Sequence, residues 1–515
     1  MGKKEKGSKK KGGGLSAFSI LLIILVALAI VTMVMAATGV AGVEGATIAD
    51  ITTAPILGFA DALPVCLFVL VLGGFLGVVA ETGALDAGIG ALVRKLHGKE
   101  LWLIPILMVI FSIGGTTYGM WEETVPFCLL LAAAMVAAGY DSLTGVAVVI
   151  VGAGCGVLGS TVNPFAVGTA IDAISSSGIE VNQGLIIGLG AMLWVVSLAI
   201  GIVYVMRYAK KVRSNPGASC MTDTEWDLMV SDFGAHPRHG MKPNGTMMTP
   251  EEAAERGEAV GPGGAATHVP GEVYEHADEM TGKQKWTLVV FAFTFVVMIV
   301  GFIPWGEFGI DVFGWSAFLT GLPLGEWYFN EASTWFLLMT IIIGFVAWLG
   351  EGRFVKAFLN GAADMMSVVL IIAVARSVTV LMGETGLDVW LLEQAAGALN
   401  GVASFVFAPL GMLIFMGLSV LIPSSSGLAT VSMPIMAPLA DQLGFSVEAT
   451  IMLFVAASGI VNLITPTSGA LVGGLALAKL QYSTWVKFFL KLFVILTVVS
   501  MVLLTVAMVA MSAMG

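Results

Sequence analysis

Long apolar runs separated by short polar segments dominate this chain, and their lengths predict its architecture. Residues 15–39, 184–207 and 484–513 each stay apolar for about the 20 residues that a helix needs to cross a bilayer. Further runs at 64–82, 285–304, 334–349 and 365–383, with two longer ones at 141–178 and 446–478, bring the expected count to about nine spans. The first run is too long for a signal peptide and lacks a small-residue cleavage site, so it predicts a retained span. Two other stretches, 100–138 and 404–440, are split by polar clusters into arms of roughly 10 to 18 residues. Arms that short predict re-entrant hairpins, with tips at G-G-T-T-Y-G-M-W-E-E-T (114–124) and I-P-S-S-S-G-L-A-T (422–430). Non-helical backbone at membrane depth survives only inside protein or beside water.

The two halves of the chain match at a nearly constant offset. Asp61 corresponds to Asp364, Glu81-Thr82-Gly83 to Glu384-Thr385-Gly386 and Gly156 to Gly459, all 303 apart, and Pro164 corresponds to Pro466 at 302. Lys3, Lys4, Lys6, Lys9, Lys10 and Lys11 precede the first span, Arg207, Lys210, Lys211 and Arg213 open the central loop, and Lys283 and Lys285 close it. The positive-inside rule therefore expects the N-terminus and that loop in the cytoplasm of a bacterial-type inner (plasma) membrane, with the C-terminus extracytoplasmic. Counted from an inside start, 64–82 and 365–383 run in opposite directions, so the repeats are expected to be inverted. The expected organisation is a basic N-terminus (1–14), a first membrane repeat (15–207), an acidic cytoplasmic linker (208–284), a connecting span (285–304), an extracytoplasmic loop (305–333) and a second, inverted repeat (334–515).

Composition closes off other classes. Hydrophobic residues make up 57% of the chain and charged residues 11%, far from the roughly 25% charged content of a soluble domain. Most of the acid behind the net charge of -11 sits in 214–282, which reads as a solvated linker and offers nothing to a nucleic acid. Its histidines, His236, His239, His268 and His276, are irregularly spaced and far from any zinc pattern. Thr249, Pro250 and Glu252 read as a capping box opening a short surface helix. Cys66, Cys128, Cys155 and Cys220 suggest neither a disulfide framework nor a metal site. The spans hold no histidine, and neither an H-E-x-x-H nor a P-loop occurs, so no enzyme is expected.

Four helix breaks carry the candidate chemistry: the two hairpin tips and the segments G-S-T-V-N-P-F (159–165) and N-L-I-T-P-T-S-G (462–469). Proline removes a backbone donor and frees a carbonyl, and inverted-repeat carriers bind solute and ion near the midplane at such breaks. The substrate-binding candidates are Thr116, Thr117, Glu122, Glu123, Thr124, Asn163, Arg376, Ser424, Ser425, Ser426, Thr465 and Thr467. The ion-binding candidates are Ser160, Thr161, Asn163, Asn462, Thr465 and Ser468. A charge at a helix centre is costly in a bilayer, about 2.5–3.5 kcal/mol, so each needs a reason. Arg376 suits a carboxylate through its planar fork, or pairs internally with a glutamate; Glu122 and Glu123 suit an ammonium or guanidinium. Asp61, Asp364, Glu81 and Glu384 fall near span ends, where structural roles are expected, and Trp102, Trp121 and Trp485 read as interface belts.

At G-G-T-T-Y-G-M-W-E-E-T-V-P-F (114–127), G-S-T-V-N-P-F (159–165), I-A-V-A-R (372–376) and I-P-S-S-S-G-L-A-T (422–430) the chain resembles the YfcC family of the DcuC-like carriers, within the wider ion transporter superfamily. The resemblance covers nearly the whole chain except the basic N-terminus and the acidic loop. It implies a scaffold domain and a transport domain carrying both hairpins, a homodimer and an elevator motion. It also implies either exchange of basic amino acids, such as arginine for ornithine, or carriage of C4-dicarboxylates. No cofactor is expected, and the backbone carbonyls and hydroxyls of the broken helices leave sodium, a proton or a second solute open as the driving partner. The expectation is a secondary transporter for an amino acid, basic in type because of the glutamate pair. A dicarboxylate carrier is the alternative, and a channel or an intramembrane enzyme is less consistent with the paired breaks.

Overall fold

The structure, a computed structural model, describes residues 17–85, 87, 88, 91, 100–174, 178–233, 280–303, 305–308, 310 and 312–512. The basic N-terminus, the four loop histidines, the Thr249–Glu252 capping box and Gly515 lie outside them. The described regular elements are all helical, as a chain in lipid requires when its backbone must satisfy itself. The protein is an all-α polytopic membrane protein.

The first half holds α1 (Ala17–Ala37), α2 (Ile48–Asp61), α3 (Leu63–Glu81), α4 (Leu103–Tyr118), α5 (Val125–Ala137), α6 (Ser142–Leu158), α7 (Thr169–Ile174) and α8 (Gln183–Ser214). Between the halves stand α9 (Asp223–Phe233) and α10 (Gly282–Phe302). The second half holds α11 (Phe329–Val346), α12 (Glu351–Asp364), α13 (Met366–Thr385), α14 (Leu387–Leu399), α15 (Ser404–Leu421), α16 (Ser425–Gln442), α17 (Val447–Asn462), α18 (Gly469–Leu477) and α19 (Tyr482–Ser512).

Among the described residues nine helical segments are long and apolar enough to cross a bilayer. The number equals the expectation, but the membership differs. It includes the arm leading into each hairpin tip, Glu100–Tyr118 and Ser404–Leu421, and leaves out Ser142–Leu158 and Val447–Asn462. The first of these arms is longer than its polar tip suggested. The helix runs on through Gly114, Gly115, Thr116 and Thr117, which a helix tolerates, and stops where Gly119 takes a left-handed φ of 80°.

The 303-residue offset extends to element bounds and contacts. The ends of α2 reappear in α12, Ile48 at Glu351 and Asp61 at Asp364. Contacts are exchanged in pairs: α3 packs on α12 and α11, while α13 packs on α2 and α1; α5 packs on α18, and α16 on α7. Helices α6 and α17 pack on each other, and Cys66 Sγ lies 3.8 Å from the carbonyl of Val369, its counterpart 303 positions on. Glycines make these crossings close, as membrane helices require. A Cβ at Gly361 would stand 2.2 Å from the Gly73 carbonyl oxygen, and one at its counterpart Gly58 would stand 2.5 Å from the Ser377 nitrogen. The apolar-run pattern did not reveal α2 and α12, because both are 14-residue helices with polar faces. Arg353 of α12 pairs with Glu81 at 2.8 Å, which fits the structural role expected of that glutamate.

One expectation for the central loop needs correction. Part of the loop is packed rather than solvated: Met221, Trp226 and Met229 are buried. Glu225, 2% exposed, accepts from the Gln481 nitrogen at 2.6 Å and from Thr484 Oγ1 at 2.8 Å, so it caps the start of α19. Asp141, at the start of α6, accepts from Tyr208 and Ser219, both at 2.6 Å. The overall acidity of 214–282 hid Trp226 and Met229, three apart on α9, and Met221 just before it. The consequence is a split in deletion behaviour. Replacing 234–279 with a short flexible linker is expected to leave transport within about twofold of wild type, because a charged, apolar-poor segment buries little. Extending the deletion back to residue 219 is expected to abolish stable folded protein, since it removes Glu225 and the apolar face of α9. Size-exclusion profiles and transport by the two deletions check this; equal behaviour would contradict it.

Candidate functional site

The four breaks meet around one cavity of about 130 Å³. Hairpin tip one supplies Trp121, Glu122 and Glu123, the first break Asn163 and Phe165, tip two Pro423 to Ser426, and the end of α17 Asn462. Arg376 enters from α13 and Phe329 from the start of α11. Local sequence explains why backbone is available here. Asn163 caps a π-helical turn at Pro164–Gly168, its Oδ1 accepting from the Phe165 nitrogen at 2.9 Å. Ser424 caps α16 by accepting from the Gly427 nitrogen at 3.2 Å, which aims the positive end of that helix at the cavity.

The charges are unevenly divided between the halves. Glu122 and Glu123 fall 303 positions before Ser425 and Ser426, and Arg376 falls 303 after Gly73. The repeat thus supplies the frame, and these substitutions within it set the cavity's charge. The Glu123 carboxylate accepts from the Trp121 nitrogen at 3.0 Å, which fixes the side chain within its own tip. The ion pair of Arg376 is with Asp61 Oδ2 at 3.7 Å and not with a glutamate. Asp61 therefore has a partner in the site's wall. That separation exceeds a hydrogen bond, and Asp61 is half-exposed, so the contact is weak.

Eight of the sequence candidates line the cavity: Glu122, Glu123, Asn163, Arg376, Ser424, Ser425, Ser426 and Asn462. The others hold the breaks in place. Thr116 Oγ1 donates to the Gly159 carbonyl at 2.7 Å and Thr161 Oγ1 donates back to the Thr116 carbonyl at 3.0 Å, tying α4 to the first break. Thr467 Oγ1 donates to the Val420 carbonyl at 2.9 Å and lies 2.7 Å from Thr465 Oγ1, the corresponding tie between the second break and α15. Thr117 bonds back to Ile113, Thr124 to Trp121, and Ser160 to Val157. Ser468 Oγ accepts the Trp121 indole N–H at 3.0 Å, joining the first hairpin tip to the second break. Trp121 is consequently no interface residue but part of the cavity wall. Trp485 is fully buried and donates to the Leu463 carbonyl at 2.8 Å; of the three tryptophans expected at the interfaces, Trp102 alone is exposed as such a residue would be. Among the described residues no group of three or more His, Cys, Asp and Glu could hold a metal.

Over residues 38–233 and 269–509 the chain matches the family described as "DcuC: C4-dicarboxylate anaerobic carrier". An uncharacterized protein of Haemophilus influenzae is 30% identical over 459 residues, covering 89% of this chain and 78% of that protein. The "putative basic amino acid antiporter YfcC" of Escherichia coli is 26% identical over 440 residues, covering 83% of this chain and 74% of that protein. Among solved structures the Alcanivorax borkumensis YdaH transporter is similar at 17% identity and a TM-score of 0.44, covering 96% of this chain and 98% of that one. With the family matched along both halves and around a polar cavity at their helix breaks, the chain belongs to the DcuC family and is a multi-pass membrane carrier.

Proposed function

We propose that the carrier exchanges amino acids of the basic class, holding the solute between the two hairpin tips. The observation that supports this most is the presence of two carboxylates and one guanidinium around a single small cavity. A basic amino acid presents a carboxylate to Arg376 and the N-terminus of α16, where a helix end and a planar fork both favour an anion. Its ammonium or guanidinium groups meet Glu122 and Glu123. A dicarboxylate in the same place satisfies Arg376 and the serines of the second tip but sets like charges beside the glutamates.

The exchanged contacts between halves support an inverted repeat, and the lysine and arginine bias supports a cytoplasmic N-terminus and central loop. Asn163 and Asn462 are the ion-site candidates that reach the cavity, and we keep sodium or a proton as the coupling ion there. Homodimerisation and elevator motion rest on the family resemblance. A thermal-shift screen of amino acids and dicarboxylates, with and without sodium, tests the substrate class, because a ligand of the native state raises apparent stability. Arginine or ornithine is expected to raise the transition, and succinate is not. Orientation has its own check. A tag after Gly515 is expected to be reached from the extracytoplasmic side, and tags beside Lys11 or within 234–279 only from the cytoplasm. A cytoplasmic Gly515 would remove the inversion.

A further inference from the structure

The first break lines two cavities. Asn163 and Phe165 face the central one, while Thr161, Val162, Pro164, Val167 and Gly168 face another of about 190 Å³. The same division recurs at the start of α11, where Phe329 lines the central cavity and its neighbour Tyr328 the second. Phe165 stacks on Phe329 with centroids 5.9 Å apart and meets the Tyr328 ring edge-on at 5.8 Å. Two aromatic side chains therefore stand where one cavity gives way to the other.

The second cavity is rich in acceptors. Asp172 of α7 contributes a carboxylate and Gln183 a side-chain amide. Thr169 Oγ1 donates to the Pro164 carbonyl at 3.1 Å and Thr161 Oγ1 to the Thr116 carbonyl at 3.0 Å, so each hydroxyl has committed its hydrogen and offers lone pairs. The start of α8 would favour an anion, but its positive end is already met: Asn182 accepts from the Leu185 nitrogen at 3.2 Å and donates its own N–H to Glu448 at 3.0 Å. A wall of this kind suits a ligand that donates hydrogen bonds and carries positive charge.

We propose that this second cavity is a cation-selecting antechamber, in which Asp172 and the hydroxyls of Thr161, Thr169 and Tyr328 take the ammonium or guanidinium end of an amine-bearing solute, and that Phe165 on Phe329 is the partition the solute displaces to reach the central cavity. The antechamber lies at the Gln183 end of α8, opposite the Arg207–Arg213 end, and so faces outside in the orientation proposed above. It deepens the amine-carrier reading, and it rests on that reading only for the identity of the solute.

The test measures charge preference without any substrate. In a cysteine-free background, Gln183→Cys and Thr169→Cys are labelled with a cationic and an anionic methanethiosulfonate reagent of similar size, each rate normalised to its rate with a free thiol in solution. A nearby carboxylate is expected to favour the cationic reagent about fivefold to tenfold at low salt, with the ratio falling toward one in Asp172→Asn. A ratio near one with Asp172 intact overturns the proposal, and that arm needs no Asp172 variant to fold. If Asp172→Asn does not fold, Asp172→Glu replaces it and is expected to keep the preference; its loss there counts against the proposal. Phe165→Ala is expected to speed labelling of Ser425→Cys at least fivefold from the α8 N-terminal side, and an unchanged rate removes the partition. A preserved charge preference in a protein that neither binds nor moves basic amino acids would leave the antechamber standing and bring down the central-site reading instead.

Discussion

Glu122→Gln and Glu123→Gln are each expected to weaken binding of arginine or ornithine at least a hundredfold. Removing one partner of a buried charge pair costs on the order of 3–5 kcal/mol, and each 1.4 kcal/mol is a factor of ten. Glu123 is 2% exposed and both glutamates line the cavity, so a desolvated cationic group that loses one of them has little water to turn to. Arg376→Gln is expected to weaken the same ligands by tenfold or more through loss of the carboxylate contact. Its pair with half-exposed Asp61 is too weak for a structural collapse to explain such a loss. For a dicarboxylate the order reverses: Arg376→Gln is the severe variant and the glutamate changes are mild or favourable. Isotherms on the purified single mutants at fixed salt distinguish the patterns. Unchanged affinity for every candidate ligand in all three folded variants would make these charges structural.

The second large effect concerns the glycine crossings. Gly361→Val is expected to lower the thermal transition strongly or to prevent isolation of folded protein, because its Cβ would lie 2.2 Å from the Gly73 carbonyl oxygen and meet the backbone near Gly77. Overpacking of a close crossing costs about 1–3 kcal/mol where side chains can yield, and here the obstacle is backbone, which cannot rotate away. Gly397→Ala in α14 meets nothing within 4 Å and is expected to be neutral or stabilising by about 0.5–1 kcal/mol, as for other helical glycines. Thermal unfolding of both variants in one detergent decides it. A Gly361→Val protein as stable as wild type would contradict the packing described for α3 and α12.

Much of the site was legible because a bilayer makes polar residues conspicuous. Glu122, Glu123, Arg376 and the serines of the second tip stand out in apolar surroundings, and they line the cavity. The hydroxyls of the breaks were harder to read. Thr116, Thr161, Thr465 and Thr467 have the composition of ligand groups, yet they bond to backbone or to one another and hold the hairpins against the breaks. Sequence does not distinguish a hydroxyl that meets a solute from one that meets a carbonyl. Trp121 was misplaced for a related reason: tryptophan favours interfaces, and only the position of Ser468 shows where its N–H goes. The pairing of Arg376 with Asp61 depends on α2 crossing α13, a contact between halves that no local pattern contains. The amphipathic α2 and α12 and the apolar face of α9 escaped because none of the three forms an unbroken apolar run.

Counterflow in proteoliposomes tests the central claim most directly, because it registers the bound solute and the exchange step together. Vesicles loaded with unlabelled arginine or ornithine are predicted to accumulate labelled arginine transiently and saturably. Vesicles loaded with succinate, or with Glu123→Gln protein, are predicted not to. Saturable succinate counterflow without any arginine counterflow would contradict the proposed substrate class and place the protein's cargo among dicarboxylates.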